Sequence, residues 1–206
     1  MDFYHKLNSY FTIQAVEEIL YKDKASKFIG FAYPIKDEND IKEKLDYLKN
    51  LHPKATHHCY AYRLGLDKNN YRANDDGEPN GTAGKPILGQ IDSFRVTNCL
   101  IVVVRYFGGT KLGVSGLIDA YKECAKQTLE ATTITEQKIL DYYELKCSYE
   151  NINKIYQIAN NYKAIIIEQH LDNQSSFVIS VEQENSKIIE SKLKDEQLEF
   201  VFIERK

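Results

Sequence analysis

The residues best suited to chemistry lie in one short segment with the sequence RYFGGTKLG. It carries two cations, Arg105 and Lys111, the adjacent glycines Gly108 and Gly109, and a further glycine, Gly113. Arginine presents a planar fork that suits phosphate, lysine adds a point charge, and glycine lets a ligand approach the backbone closely. We interpret the segment as a cradle for an anion or a nucleic-acid backbone. The alternative is a tight structural turn with a salt-bridged Arg105. The segment matches neither the Walker pattern nor the GxGxxG fingerprint.

A second candidate anion site lies at the predicted start of a helix. Thr82 is the expected N-cap, and Gly84 and Lys85 belong to the first turn. Free amide hydrogens and the helix dipole favour an anion at such a position. The acidic residues that precede this helix are interpreted as a solvated turn rather than a cation site, and their role is left open. They are Asp75, Asp76 and Glu78.

Aromatic side chains accompany both candidate sites. Tyr60 and Tyr62 alternate along a predicted strand, and Tyr106 and Phe107 precede the paired glycines. Exposed aromatic rings stack on unpaired nucleic-acid bases. These four residues are therefore candidate stacking positions.

The histidines, cysteines and serines form no convincing catalytic or metal site. His57 and Cys59 share one face of a predicted strand, whereas His58 lies on the other, and a zinc site needs more ligands. Ser115 lies in GVSGL, which lacks the last glycine of a nucleophile elbow, and a helix cap explains it fully. Cys124 lies on the apolar stripe of its helix, where thiols are usually inert. We predict no catalytic residue, no metal and no cofactor.

The elements that must position these residues follow from periodicity in the first part of the chain. An alternating hairpin is predicted within residues 11–34, and a helix capped by Asn39 or Asp40 follows it. Strands are predicted at residues 56–66 and 99–106. Helices are predicted at residues 82–92 and 116–129, the second capped by Ser115. This part is a mixed α/β domain that spans residues 1–133.

The second part of the chain, residues 134–206, has its own pattern. Alternating and helical segments occur in the order βαββαβ, which is the split arrangement of ferredoxin-like domains. It contains 9 lysines and arginines against 13 aspartates and glutamates, a net charge of −4. An anion site therefore belongs to the first domain, and the acidic second domain is expected to contact protein or to orient the first.

Composition points to an ordinary cytoplasmic protein. The formal net charge of −3 argues against strong non-specific binding of nucleic acid by the whole surface. The 4 cysteines are far apart and form no CxxC pair, so we expect reduced thiols. The N-terminal residues are not those of a signal peptide, and no run of apolar residues is long enough to cross a membrane. The sequence leaves the oligomeric state open.

Three segments together resemble the Impact family. They are HHCYAYR from His57, DDGEPNGTAGKPIL from Asp75, and VVRYFGGTKLG from Val103. The family signature runs from a glycine through spaced aliphatic residues to an arginine, two aromatic residues and a double glycine, and it fits from Gly84 to Gly113 without a gap. The matching motif positions are Arg63, Asp76, Glu78, Thr82, Gly84, Lys85, Arg105, Gly108, Gly109, Lys111 and Gly113.

The resemblance implies a fold for each half and a connection to translation. The N-terminal domain is expected to be an α/β sandwich similar to domain two of ribosomal protein S five. The C-terminal domain is expected to look like the ferredoxin-like modules of elongation factor G. Eukaryotic members are linked to the control of translation initiation. The resemblance also adds Arg63 to the candidate anion-binding residues.

Three functions compete at this point. The first is a non-enzymatic binding protein that contacts RNA or the ribosome, together with a translation-related protein partner, and regulates translation. The second is an enzyme acting on a phosphorylated or peptide-like small molecule, with His57 or His58 and the pair Asp76 and Glu78 beside the glycine loop. The third is a module that binds only protein through an exposed apolar patch. The first is our principal hypothesis.

Overall fold

The computed structural model describes residues 5–6, 8–67, 69–172 and 174–206. The chain folds into two compact units that divide after Gln137, and Asn8 and Ser9 are grouped with the second unit. The predicted domain boundary after Thr133 stays a prediction.

The first unit contains most of the helices and strands. Its elements are β1 (His5–Lys6), β2 (Ser9–Ile13), β3 (Val16–Asp23), β4 (Ser26–Pro34), α1 (Glu38–Leu51), β5 (His57–Arg63), β6 (Tyr71–Asn74), α2 (Gly84–Phe94), β7 (Cys99–Tyr106), α3 (Gly113–Ala131) and β8 (Ile134–Lys138). Five strands form an antiparallel sheet in the order β3-β4-β7-β5-β6, and β1, β2 and β8 form a smaller sheet. Strand β6 lies between the strand predicted at residues 56–66 and the helix predicted at residues 82–92, where the sequence predicts no element.

Helices cover both faces of the five-stranded sheet. On one face, Ile101 and Val103 pack with the apolar residues of α2 and α3. On the other, Val102 and Val104 pack with Ile41 and Leu48 of α1. A strand buried on both faces reads as an unbroken apolar run, which is why β7 stands out in the sequence. We call these the α2–α3 face and the α1 face.

The helix caps differ from the local predictions. The carboxylate of Asp37 accepts hydrogen bonds from the amides of Asn39 and Asp40, so Asp37 caps α1 rather than either of those residues. Helix α3 already begins at Gly113, so Ser115 lies within its first turn and is not the cap. Thr82 is not the cap of α2 either, because that helix begins at Gly84 and its first amides are bound by a distant side chain.

The second unit is a four-stranded antiparallel sheet with two helices. Its elements are β9 (Leu140–Ser148), α4 (Ile152–Asn161), β10 (Ile165–His170), β11 (Gln174–Glu182), α5 (Ser186–Asp195) and β12 (Glu199–Arg205). The strand order β10-β11-β9-β12 is that of a ferredoxin-like fold. The predicted α/β class, with a βαββαβ second part, is confirmed.

Candidate functional site

Strand alternation separates the first two residues of the RYFGG motif. Side chains of successive strand residues point to opposite faces of a sheet. Arg105 therefore follows Val103 onto the α2–α3 face, whereas Tyr106 packs against the cluster on the α1 face. The motif consequently contributes to two different environments.

Arg105 belongs to a buried ionic cluster. Its Nη1 donates to Glu78 Oε1 at 2.5 Å, and the side chains of the two residues are only 6% and 4% exposed. The Tyr121 hydroxyl donates to the same carboxylate oxygen at 2.8 Å, and Arg105 Nη2 donates to the hydroxyl of Ser26 at 3.3 Å. The expectation that Arg105 offers an exposed charge to an anion is therefore wrong, because Glu78 already compensates that charge inside the protein.

His57 and Cys59 complete this cluster. His57 Nε2 lies 3.8 Å from Glu78 Oε1, and its Nδ1 lies 2.7 Å from the carbonyl oxygen of Asp76. Cys59 Sγ donates to the carbonyl of Asp75 at 3.0 Å, and burial raises the pKa of this thiol. We call His57, Cys59, Glu78, Arg105 and Tyr121 the buried network. Its polar groups bind mainly one another.

Neighbouring thiols are equally unsuited to nucleophilic chemistry. Burial raises the pKa of Cys99 and of Cys124 to about 12. The thiolate is the nucleophilic form, and it is scarce at neutral pH when the pKa is this high.

The N-terminus of α2 already holds an anion of the protein itself. The Asp75 carboxylate accepts hydrogen bonds from the amides of Gly81, Ala83 and Gly84 at 2.8, 3.0 and 2.8 Å. Burial by itself raises the pKa of Asp75. The three hydrogen bonds and the charge of Lys85 together lower this pKa by more than burial raises it, so the pKa lies below its usual range. The predicted anion site at this helix is therefore occupied by an internal carboxylate.

The other predicted residues of that site have structural roles or remain exposed. Thr82 is buried, and its hydroxyl donates to the Pro79 carbonyl at 2.7 Å. Gly84 packs against the backbone of Asn74, where a Cβ atom would collide. Lys85 is exposed.

Arg63 is also neutralised internally. Its Nε and Nη2 donate to the two carboxylate oxygens of Asp92 at 2.5 and 2.9 Å. The guanidinium lies 5.0 Å from the ring centroid of Tyr71, and Arg63 is buried. The prediction that Arg63 contacts a bound anion has no support in this geometry.

The glycine-rich loop itself is exposed and lies beside the turn of the β3–β4 hairpin. Gly108 packs directly on the backbone of Ala25, where any side chain would collide. Gly109 has φ +84° and Gly113 has φ +76°, values that glycine adopts readily. Lys111 is exposed between them. Contact with Ala25 therefore fixes the loop to the hairpin turn.

An aromatic cleft of about 430 Å³ opens next to this loop on the α1 side of the sheet. Its lining residues are Ala25, Lys27, Ile29, His52, Tyr106 and Phe107. The Tyr106 hydroxyl lies 3.0 Å from His52 Nδ1, and Phe107 is 47% exposed. We call this group of residues the aromatic cleft. None of them carries a negative charge.

Four exposed lysines lie in the β3–β4 hairpin and in the glycine loop, and one of them, Lys27, lines the cleft. Lys22 and Lys27 stand directly opposite each other in the β3–β4 pair, Lys24 lies in the connecting turn, and Lys111 follows in the glycine loop. Among the described residues, none of the four forms an ion pair with a carboxylate. We call Lys22, Lys24, Lys27 and Lys111 the cationic rim.

The four predicted stacking residues do not meet. Tyr106 and Phe107 line the aromatic cleft, whereas Tyr60 and Tyr62 line a separate cleft of about 280 Å³ against α1. Glu38 and Asp46 line that second cleft together with Lys42, Lys49 and Arg72, and Tyr62 is only 9% exposed. The second cleft therefore contains carboxylates that would repel a phosphate, whereas the lining of the aromatic cleft contains none.

Sequence reasoning missed the hairpin lysines and His52. Lys22, Lys24 and Lys27 lie with Asp23 in the predicted hairpin, but only the pairing of β4 with β7 brings Lys27 next to Tyr106. His52 ends α1, and nothing in its local sequence connects it to a residue 54 positions later. Only tertiary structure shows these residues as one surface.

Two absences within the described ranges concern metal ligands and membrane-spanning helices. There, no group of three or more histidine, cysteine, aspartate or glutamate side chains is arranged to hold a metal ion. Likewise, no described helix has the length and apolarity needed to span a membrane.

Comparison with known proteins identifies relatives over both parts of the chain. Residues 24–129 match the model of the Impact N-terminal domain. IMPACT family member YvyE of Bacillus subtilis is 33% identical over 87% of this chain and 83% of its own. A crystal structure described only as a hypothetical protein is 29% identical, covers 97% of this chain and 99% of its own, and has a TM-score of 0.78. A structure described as the two-domain translational regulator Yih1 is 28% identical over 57% of this chain and 45% of its own, with a TM-score of 0.38.

Proposed function

Since this chain belongs to the Impact family, we propose that it is a non-enzymatic, cytoplasmic RNA-binding protein that associates with the ribosome and regulates translation. The observation that carries this proposal is the cationic rim beside the aromatic cleft. Uncompensated lysines attract phosphate, and exposed aromatic rings stack on bases. The link to translation comes from the eukaryotic members of the family.

Local charge, rather than total charge, supports RNA as the ligand. The whole chain has a net charge of −3, so its surface as a whole does not attract polyanions. The cationic rim is an exception, because its lysines lie in two adjacent segments without a described carboxylate partner. Such a patch gives a modest, salt-sensitive affinity for a nucleic-acid backbone. The acidic second unit is assigned to a protein partner in translation.

The buried network supports a binding function rather than catalysis. A catalytic acid, base or nucleophile must reach a substrate. Glu78 and Arg105 are instead buried against each other, and the Tyr121 hydroxyl is bound to the same carboxylate. We assign this network to the stability of the domain.

One contact favours the enzyme as a second candidate function. His57 Nε2 and Glu78 Oε1 lie 3.8 Å apart, which is within the range of an electrostatic contact, and the His57 side chain is 18% exposed. His58 points to the opposite face, so the two histidines cannot act together there. If an activity on a phosphorylated or peptide-like compound is found, His57→Gln should abolish it without affecting RNA binding.

Co-sedimentation with ribosomes at low salt tests the binding function. The test variant reverses three rim charges, Lys22→Glu, Lys27→Glu and Lys111→Glu. A charge-matched control reverses three exposed lysines elsewhere, at Lys36, Lys122 and Lys187. We expect the rim variant to lose association and the control to retain it.

Nuclease treatment and salt titration complete this test. RNA-mediated association should fall after nuclease digestion, and it should weaken steeply as salt rises. Equal sedimentation of the folded rim variant and of its control would contradict the proposed function.

A further inference from the structure

We propose that the aromatic cleft holds one unpaired base of a single-stranded nucleic acid, while the cationic rim binds the adjoining phosphates. This inference rests on the proposed function and names the ligand of that site. It follows from three features of the cleft, which are a fixed aromatic platform, a second anchored ring, and an apolar lining with positive charge at its edge.

Phe107 provides the platform. Its ring lies 5.5 Å from the Arg105 guanidinium carbon, and the same guanidinium lies 5.4 Å from the ring of Phe28. Because Glu78 anchors Arg105, the cation supports Phe107 from below and leaves 47% of that residue exposed. A ring that is already fixed loses little conformational freedom when a base stacks on it.

Tyr106 provides the second ring, and His52 holds it in place. The two rings meet edge to face, with centroids 6.0 Å apart and an interplanar angle of 77°, and His52 Nδ1 lies 3.0 Å from the Tyr106 hydroxyl. Ile29 and Ala25 add apolar surface. The volume of about 430 Å³ falls within the range of small-ligand pockets.

The lining predicts which form of nucleic acid fits. A paired base is stacked inside a duplex and cannot enter a cleft, whereas an unpaired base can be splayed out onto an aromatic ring. The lining offers mainly apolar surface and one lysine, Lys27. It is therefore suited to stacking on the flat face of a base rather than to hydrogen bonding with the edge of the base. We therefore expect a preference for single strands with little preference for base identity.

Fluorescence anisotropy at low salt tests this inference. The probes are a labelled oligouridylate, a DNA strand of the same length, and a duplex RNA. Phe107→Ala should weaken single-strand binding about tenfold, the effect of losing one base–aromatic contact. Phe107→Tyr keeps the ring and should bind normally. Tyr47→Ala removes an exposed aromatic residue of α1 and serves as the matched control.

A measurement on the unmodified protein tests the inference even if Phe107→Ala does not fold. Backbone and aromatic NMR signals of Lys27, Tyr106 and Phe107 should shift during titration with the oligouridylate, and those of Tyr60 and Tyr62 should not. Comparison of the RNA and DNA strands identifies which of the two the cleft prefers, and saturable binding of either supports the inference.

The outcomes separate this inference from the function on which it rests. If the rim variant loses ribosome association but Phe107→Ala binds single strands normally, the cleft is not the base site and the proposed function stands. If Phe107→Ala weakens duplex and single strands equally, the inference is also wrong. If ribosome association resists nuclease and no oligonucleotide binds, the partner is a protein and the inference is overturned. If neither ribosomes nor oligonucleotides bind, both proposals fail.

Discussion

The buried network and the aromatic cleft with its cationic rim adjoin at Phe107, whose ring contacts Arg105, yet they use their charges in opposite ways. In the network, the Arg105 cation is compensated by Glu78 in an environment that excludes water. Around the cleft, the rim lysines have no carboxylate partner in the part of the chain that the structure describes, and they face solvent. The comparison teaches that a charged motif residue is a candidate ligand only if its charge is not already compensated inside the fold.

The two regions are physically connected by neighbouring residues of β7 and its following loop. Arg105 supports the ring of Phe107 from the network side, and Tyr106 lines the cleft. The network therefore stabilises the position of the cleft without touching its ligand. Substitutions in the network should mainly change the stability of the domain, and substitutions in the cleft or rim should mainly change the affinity for RNA.

The largest expected effect comes from breaking the network. Glu78→Gln leaves the buried Arg105 cation without its counter-charge, which typically costs about 3–5 kcal/mol of the free energy of unfolding. Glu130→Gln removes an exposed partner of Lys126 and is the control, with a change below about 1 kcal/mol. Urea denaturation measures both. Similar losses in the two variants would show that the network is no more important than a surface ion pair.

Crowding the close contact between Gly108 and the hairpin turn should have the next largest effect. Gly108→Ala places a Cβ atom against the Ala25 backbone, and we expect a destabilisation of about 1–3 kcal/mol together with weaker RNA binding. Gly89 lies in α2 with open space around it, so Gly89→Ala should instead stabilise by about 0.5–1 kcal/mol. Thermal unfolding distinguishes these signs. A neutral Gly108→Ala would mean that the loop is not fixed to the hairpin.

Most of the architecture was predictable because it depends on short-range periodicity. The two-sided burial of β7 appears as an unbroken apolar run, and the second unit shows its βαββαβ order directly. Helix caps were less predictable, because Asp75 reaches the first amides of α2 from a preceding loop, whereas the local rule favoured Thr82. A chain segment does not reveal which distant side chain will satisfy its amides.

The candidate site was predictable only in part for the same reason. Alternation along β7 already separates Arg105 from Tyr106, and that signal was available in the sequence. The partner of Arg105 was not, because Glu78 lies 27 residues earlier and is positioned by tertiary contacts. The rim also needed the strand register, which pairs Lys27 with Tyr106 and with Lys22.

A smaller effect is expected at the internal anion of α2, and it depends on pH. Asp75→Asn should destabilise the first unit by about 1–2 kcal/mol at neutral pH, as the loss of a good helix cap does. Because the folded pKa of Asp75 is depressed below 3.8, its contribution is complete above that value and is lost as the pH falls through the folded pKa. Urea titrations of both proteins between neutral and acidic pH should therefore converge at low pH. A constant difference would show that the charge of Asp75 is unimportant.

The smallest expected change has opposite signs for stability and for binding. Lys22 and Lys27 are like charges placed directly across two antiparallel strands, which is unfavourable. Lys22→Glu should stabilise the hairpin by about 0.2–1 kcal/mol and weaken RNA binding. Lys22→Gln is the intermediate control. If Lys22→Glu stabilised the protein and left RNA affinity unchanged, Lys22 would not belong to the binding surface.

The most direct test of the account is to map where nucleic acid touches the protein. Ultraviolet cross-linking of ribosome-bound or oligonucleotide-bound protein, followed by mass spectrometry of the digested peptides, locates the contacted residues. We predict cross-links at Tyr106, Phe107 and Lys27 and none at His57 or Cys59. Cross-links confined to β5, to α2 or to the second unit would contradict the assignment of the exposed face as the binding site.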